Sequence, residues 1–152
     1  MRDVRLAPSP IDAERELGTF LAGLDDQGAM VSFVGRARGR SKSGEPVERL
    51  HLDHHPRLTL RSMEDIAAAA ASRFPVSAIR IVHRCGEVLA REPILCVAVA
   101  SLHRRAAFEA ADYLMDRHKT DAMFWKREEG PGFAAWIEPT DSDREERARW
   151  DG

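Results

Sequence analysis

Two lysines, Lys119 and Lys126, stand seven residues apart in HKTDAMFWKRE (His118 to Glu128), around the apolar pair Phe124-Trp125. A chain reversal between them would bring both ammonium groups to one cleft. Each would then depress the pKa of the other and favour a neutral amine able to act as base or nucleophile. Large aromatics beside that much positive charge suit an anion that is partly flat. A solvated basic loop would have the same spacing, so the residues alone leave both readings open.

A second cationic point lies in SLHRRAAF, where His103 and Arg104 fall at the passage from a strong strand pattern to a helical one. Backbone N–H groups at a helix start can add to an anion site there, although a salt-bridged surface arginine is an equal alternative. His51, His54 and His55 in HLDHHP superficially suggest metal ligands. In an extended strand, however, His54 points away from the other two and nothing completes the set, so no metal is expected. Cys85 and Cys96 show no CxxC pattern and sit in or beside apolar runs, where buried, inert thiols in a reducing cytosol are expected. No GxGxxG, P-loop, GxSxG or HExxH motif appears, so serine nucleophiles, nucleotide cradles and bound cofactors have no support.

The elements that must position these residues follow from periodicity. Val4 to Ala7 reads as a first strand, with Ser9-Pro10 as cap and first position of a helix whose Leu17, Phe20, Leu21 and Leu24 make one stripe. Ala29 to Gly35 is a continuous apolar run, expected to be a buried strand, and Arg36 to Pro46 reads as an exposed, mobile loop. Val47 to His54 resumes a strand with Leu50 and Leu52 on one face, and Pro56 opens a helix that Phe74-Pro75 stops. Ala78 to His83 and Ile94 to Leu102 look like a core hairpin, and a helix from Arg104 is expected to end near Asp116, just before Lys119. Phe124 to Lys126 and Ala134 to Ile137 suit short strands, and Ser142 to Trp150 a charged terminal helix. This order predicts an α+β class with a mainly antiparallel sheet and packed helices.

With 152 residues, 43% hydrophobic and 32% charged, the chain is expected to form one domain, 1–152, with a real core. Its 23 cationic and 25 acidic side chains leave a formal charge of -2, so no global field favours nucleic acid or membrane and any anion site must be local. No apolar run approaches a membrane span and the first residues lack a signal h-region, so a cytoplasmic protein is expected.

GAMVSFVGRAR (Gly28 to Arg38), LHLDHHP (Leu50 to Pro56), VHRCGEV (Val82 to Val88), SLHRRAAFEAADYLMDRHKTDAMFWKRE (Ser101 to Glu128) and RARW (Arg147 to Trp150) together resemble the molybdopterin synthase large, catalytic subunit. The segments occur in family order and, with their connections, cover nearly the whole chain. The resemblance implies an α/β hammerhead fold and a sulfurtransferase of molybdenum cofactor biosynthesis. Such an enzyme installs the two dithiolene sulfurs on cyclic pyranopterin monophosphate, also called precursor Z, to give molybdopterin. Sulfur would arrive as a thiocarboxylate on the C-terminal Gly-Gly tail of a small ubiquitin-like subunit, two large subunits forming a central dimer within a heterotetramer. Lys119 and Lys126 match the family's catalytic lysines. Arg36, Ala37, Arg38, His103 and Arg104 match its substrate-binding positions, with Arg127 and Glu128 adjoining Lys126.

The resemblance also implies why no catalytic cysteine is evident, since the partner brings the sulfur. Ala37, Arg36, Arg57-Leu58 and His118 depart from the family's usual valine, lysine, Gly-Met and leucine, which bears on pocket shape more than on reaction. A rival reading is a non-catalytic paralogue that keeps the docking surface, against which the retention of both lysines argues. A small RNA-binding domain would need a basic stripe interleaved with exposed aromatics, which near-neutral charge and six phenylalanines do not favour.

Overall fold

The apolar run around Val97 becomes the centre of the molecule because every residue from Leu95 to Ser101 is buried, with packing on both faces. In the computed structural model, which describes residues 1–152, the chain begins with β1 (Arg2–Ala7), α1 (Ala13–Ala22), β2 (Ala29–Arg36) and β3 (Arg49–His54). It continues through α2 (Leu58–Arg73), β4 (Val76–Arg84), β5 (Gly86–Leu89) and β6 (Pro93–Ser101). It closes with α3 (Arg104–Thr120), β7 (Phe124–Gly130), β8 (Phe133–Ile137) and α4 (Asp141–Ala148). The strands form two four-stranded sheets, ordered β1-β4-β6-β2 and β5-β3-β7-β8. Only β1 and β4 run parallel, so the α+β class with mainly antiparallel pairing is as the sequence predicts.

The alternation of β4 and β6 explains how the first sheet is covered. Ile79, Ile81, Leu95, Val97 and Val99 meet α2 and α3 through Met63, Ile66, Ala110 and Leu114. Their neighbours Ala78, Ala98 and Ala100 are small and accept Phe20 of α1, while Val82 and Cys96 accept Ile11 on the same side. Burial of an aliphatic side chain such as Leu114, fully enclosed here, is worth about 2–3 kcal/mol. The second sheet is covered on one face only, where Leu50, Leu52 and Val88 gather with partly buried Ile137. Phe124 and Ile94 touch both clusters and join the two sheets.

Several expectations are corrected. Ala29 to Gly35 is a strand but not a buried one: β2 is an edge strand, and Phe33 and Val34 remain 42% and 40% exposed. The first helix is capped by Asp12, whose carboxylate accepts from Arg15 N–H at 3.1 Å, rather than by Ser9. Ile11 is buried against Val82 and Cys96, ahead of the helix. Pro56 likewise precedes α2 rather than opening it. His55 Nδ1 accepts the N–H groups of Arg57 and Leu58, at 3.3 and 3.1 Å, and caps that helix. The two core strands do pair, but β5 leaves between them to join the other sheet, a short strand the turn-rich composition concealed.

The helix from Arg104 does not stop near Asp116; it runs to Thr120 and includes Lys119 in its last turn. The closing RARW is tied back to it. Trp150 packs on Phe74 and Tyr113, and its indole N–H donates to Asp116 at 2.7 Å. Arg149 reaches Asp112 and Asp116. No helix is long and apolar enough to cross a membrane.

Candidate active site

Lys126 lies on the covered face of the second sheet, because its register partners are Leu52 on one side and Ile137 on the other. An ammonium among such neighbours is poorly solvated, and burial lowers the Lys126 pKa to about 8, with the charge of Lys119 adding to the effect and Asp143 opposing it. Burial thus outweighs the mutual repulsion that spacing alone suggests. Lys119 itself is exposed on the last turn of α3, where a cation also complements the helix carbonyls. Its charge bears on both Lys126 and Asp143, so the two lysines and this carboxylate share one locus. Asp143 is fixed there by the Thr140 capping box of α4. The Thr-x-x-Asp pattern could have located that cap in the sequence, but not its approach to the lysines.

Two histidines stand behind Lys126. His83 stacks on Phe124 with ring centroids 4.0 Å apart, and its Nδ1 lies 2.7 Å from Arg84 O. His118 lies with Nδ1 2.8 Å from Leu114 O, and its buried Nε2 has no hydrogen-bond partner. A carbonyl only accepts, so both neutral rings carry their proton on Nδ1. Burial lowers His83 to about 3 and His118 to about 4, and the Lys126 charge pushes both the same way. Both rings are therefore neutral at pH 7.

Arg38 and Glu128 meet at the same edge: burial raises the Glu128 carboxyl, and the Arg38 charge partly offsets that. Glu128 pairs in register with Leu50 and so shares the face of Lys126. The Arg36–Pro46 segment is exposed over most of its length but pinned at its ends. Ala37 and Val47 are buried, Ala37 N–H donates to Glu92 O at 2.9 Å, and Val47 N–H to Gly39 O at 2.9 Å. Gly130 closes this contact, since a Cβ there would lie 2.0 Å from Pro46 O. Arg127 points the other way. It pairs with Glu129 at 2.6 Å and sits 5.4 Å from the Trp136 ring centre, on the uncovered face of the sheet.

His103 and Arg104 do not join the lysines. They border a separate cleft of about 580 Å³ with Gly28, Ala29, Leu102 and Phe108. Arg104 opens α3 and Lys119 lies in its last turn, so at 1.5 Å per residue they are about 22 Å apart along the axis. Metal ligation gains no geometric support: no three His, Cys, Asp or Glu side chains converge, and His51 Nε2 lies 3.0 Å from Asp53 instead. Both cysteines are free and buried, and burial pushes their thiols up, away from thiolate.

Fold and site together define an α+β protein that presents a low-pKa amine within the field of a second lysine, a setting suited to anionic reactants. The profile of the MoaE protein family matches residues 6–121. A molybdopterin synthase catalytic subunit from Caulobacter vibrioides is 41% identical over 148 residues, covering 97% of each chain. The structure of a molybdopterin biosynthesis MoaE protein from Burkholderia ambifaria superposes with a TM-score of 0.83 at 34% identity, covering 100% of this chain and 99% of that one. Molybdopterin synthase from Staphylococcus aureus gives 0.78 at 26% identity, over 87% and 94% of the two chains. The chain belongs to the MoaE family.

Proposed function

We propose that this chain is the catalytic subunit of a cytoplasmic molybdopterin synthase, working as one domain over residues 1–152. It transfers sulfur from the C-terminal thiocarboxylate of a small ubiquitin-like subunit to cyclic pyranopterin monophosphate. The observation that carries the reading is Lys126, an amine with a pKa of about 8 beside a second lysine in a family of sulfur-transferring subunits. At pH 7 on the order of a tenth of it is neutral, against far less than a hundredth for an ordinary lysine.

The partner's thiocarboxylate sulfur attacks a pterin side-chain carbon, forming a C–S bond as that carbon's bond to an oxygen of the cyclic phosphate breaks, so that the phosphate leaves as a ring-opened monoester and a thioester to the tail remains. Water then cleaves the acyl–sulfur bond, freeing the tail as a carboxylate and the sulfur as a thiolate. Lys126 takes and returns protons in these steps. Lys119 and Arg38 offset the charges of thiocarboxylate and phosphate, which otherwise repel. The Arg38 charge favours the ionised form of Glu128, and buried Ala37 fixes the backbone between Arg36 and Arg38.

His103 and Arg104, about 22 Å from Lys119 along α3, belong to the same chemistry only when a second copy supplies them. A two-fold dimer that set the start of one α3 against the lysines of its partner would let each site draw on both chains. The test combines purified chain, thiocarboxylated small subunit and precursor. Dithiolene product requires all three, and product from the chain and precursor alone contradicts the partner-dependent mechanism. A non-catalytic paralogue would bind the small subunit and yield nothing.

A further inference from the structure

Arg91 is the one residue other than glycine with a left-handed backbone, at φ 75°. It is the third residue of a turn closed by Glu92 N–H to Leu89 O at 3.1 Å, a position that glycine or asparagine ordinarily fills because a Cβ is strained there. Strain of this kind persists where the surroundings enforce it, and here they do. Arg91 N–H donates to Ala37 O at 2.7 Å, and Arg91 O accepts from Arg36 Nε at 2.9 Å. Its guanidinium lies over Gly39, where a Cβ would come 3.3 Å from Nη2. The backbone of this one residue thus holds the Arg36–Arg40 stretch, and its guanidinium lies beside that stretch without bonding to it.

Arg91 also completes a cleft of about 680 Å³ that it lines with Arg36, Arg38 and Arg40. The remaining wall is glycine or apolar, and no acidic side chain lines it. None of the four arginines forms an ion pair, whereas Arg5, Arg80, Arg117, Arg147 and Arg149 all do. Four unpaired guanidinium groups repel one another, and an oxyanion seated among them turns that repulsion into attraction. Guanidinium forks match phosphate oxygens two at a time.

We propose that Arg91, held in a strained turn, is a phosphate-binding residue that completes a four-arginine seat with Arg36, Arg38 and Arg40. The sulfur-transfer reading supplies the identity of the physiological ligand, the phosphate of the pyranopterin; the seat itself does not depend on it. Opening the cyclic phosphate turns a monoanionic diester into a monoester of charge about −1.5 to −2, so such a seat favours the opened form.

The test titrates inorganic phosphate into the full chain, its Arg91→Gly and Arg91→Asn variants, by calorimetry and by NMR of the arginine Nε–H groups. Both replacements tolerate the left-handed turn. The expected result is an apparent Kd raised about tenfold in each, one charge-assisted contact's worth, with a thermal midpoint for Arg91→Gly equal to or above that of wild type. Equal affinity in all three chains, or no saturable binding by wild type, overturns the proposal. A lowered midpoint in Arg91→Gly does so too, because it makes the side chain structural. A peptide ending in Gly-Gly provides the second arm: weakening of its carboxylate alone moves the seat to the partner's tail and overturns the phosphate assignment. Failure of the sulfur-transfer reading would appear elsewhere, as absence of dithiolene product from wild type with phosphate binding intact.

Discussion

The two sheets of this molecule use the same strand geometry for opposite ends. The β1-β4-β6-β2 sheet is covered by α2 and α3 on one face and α1 on the other, and its central strand β6 is apolar from Pro93 to Ala100. The β5-β3-β7-β8 sheet is covered on one face, and there Lys126 and Glu128 occupy positions where the alternation calls for apolar side chains. The first sheet therefore carries stability and the second gives some of it up for chemistry. His83 on Phe124 marks their seam.

Substitutions that separate the sheets test this division. The largest effect belongs to the lysines: Lys126→Ala or Lys119→Ala lowers kcat for dithiolene formation by about a thousandfold, near 4 kcal/mol on the barrier, with little change in small-subunit binding. Lys119→Arg restores much of that rate if Lys119 acts by charge, and none if it exchanges a proton. Next, Leu114→Ala in the first sheet's core costs about 2–5 kcal/mol of folding free energy in denaturant titration, while kcat per folded molecule is kept. Equal losses of stability from substitutions in both sheets would erase the distinction.

Lys126→Met sharpens it in the opposite direction. The folded pKa of about 8 lies below the ordinary value of 10.5, so the folded state resists the proton that the unfolded chain binds between those values. Wild-type stability consequently rises as pH climbs from about 8 to about 10.5, and Lys126→Met loses that slope. At pH 7 the variant is more stable by about 1–2 kcal/mol, less than the full shift implies because the residue is only partly buried. The smallest effect concerns the seam. His83 and His118 are neutral and buried, so their contribution is complete above about pH 6.5 and is lost as pH falls towards 4 and 3. His118→Leu flattens acid unfolding in that window by about 1 kcal/mol.

How legible these regions are in the sequence differs for the same reason. The strand patterns at Ala78–His83 and Ile94–Leu102 announce a core hairpin, and β4 and β6 do pair antiparallel at the centre of the first sheet. Ala29–Gly35 has a similar run but lies at the edge, since composition says nothing about strand order. In the second sheet, β5 is too short and too turn-like to detect, and the two lysines are visible as charges without the burial that sets the pKa of Lys126. Motif resemblance names Arg36, Arg38, His103 and Arg104 as one set, yet within a single chain helix length divides them. Arg127 follows Lys126 in sequence and therefore faces the opposite side of the strand.

The claim that two copies share each site is tested most directly by mixing two inactive chains, His103→Ala/Arg104→Ala and Lys119→Ala/Lys126→Ala, after dissociation and reassociation. Random pairing makes half the dimers mixed, and each mixed dimer holds one intact site and one doubly damaged site. The expected result is about a quarter of wild-type dithiolene formation from two parents that have almost none alone. A mixture no more active than the sum of its parents would contradict the account and confine the whole site to one chain.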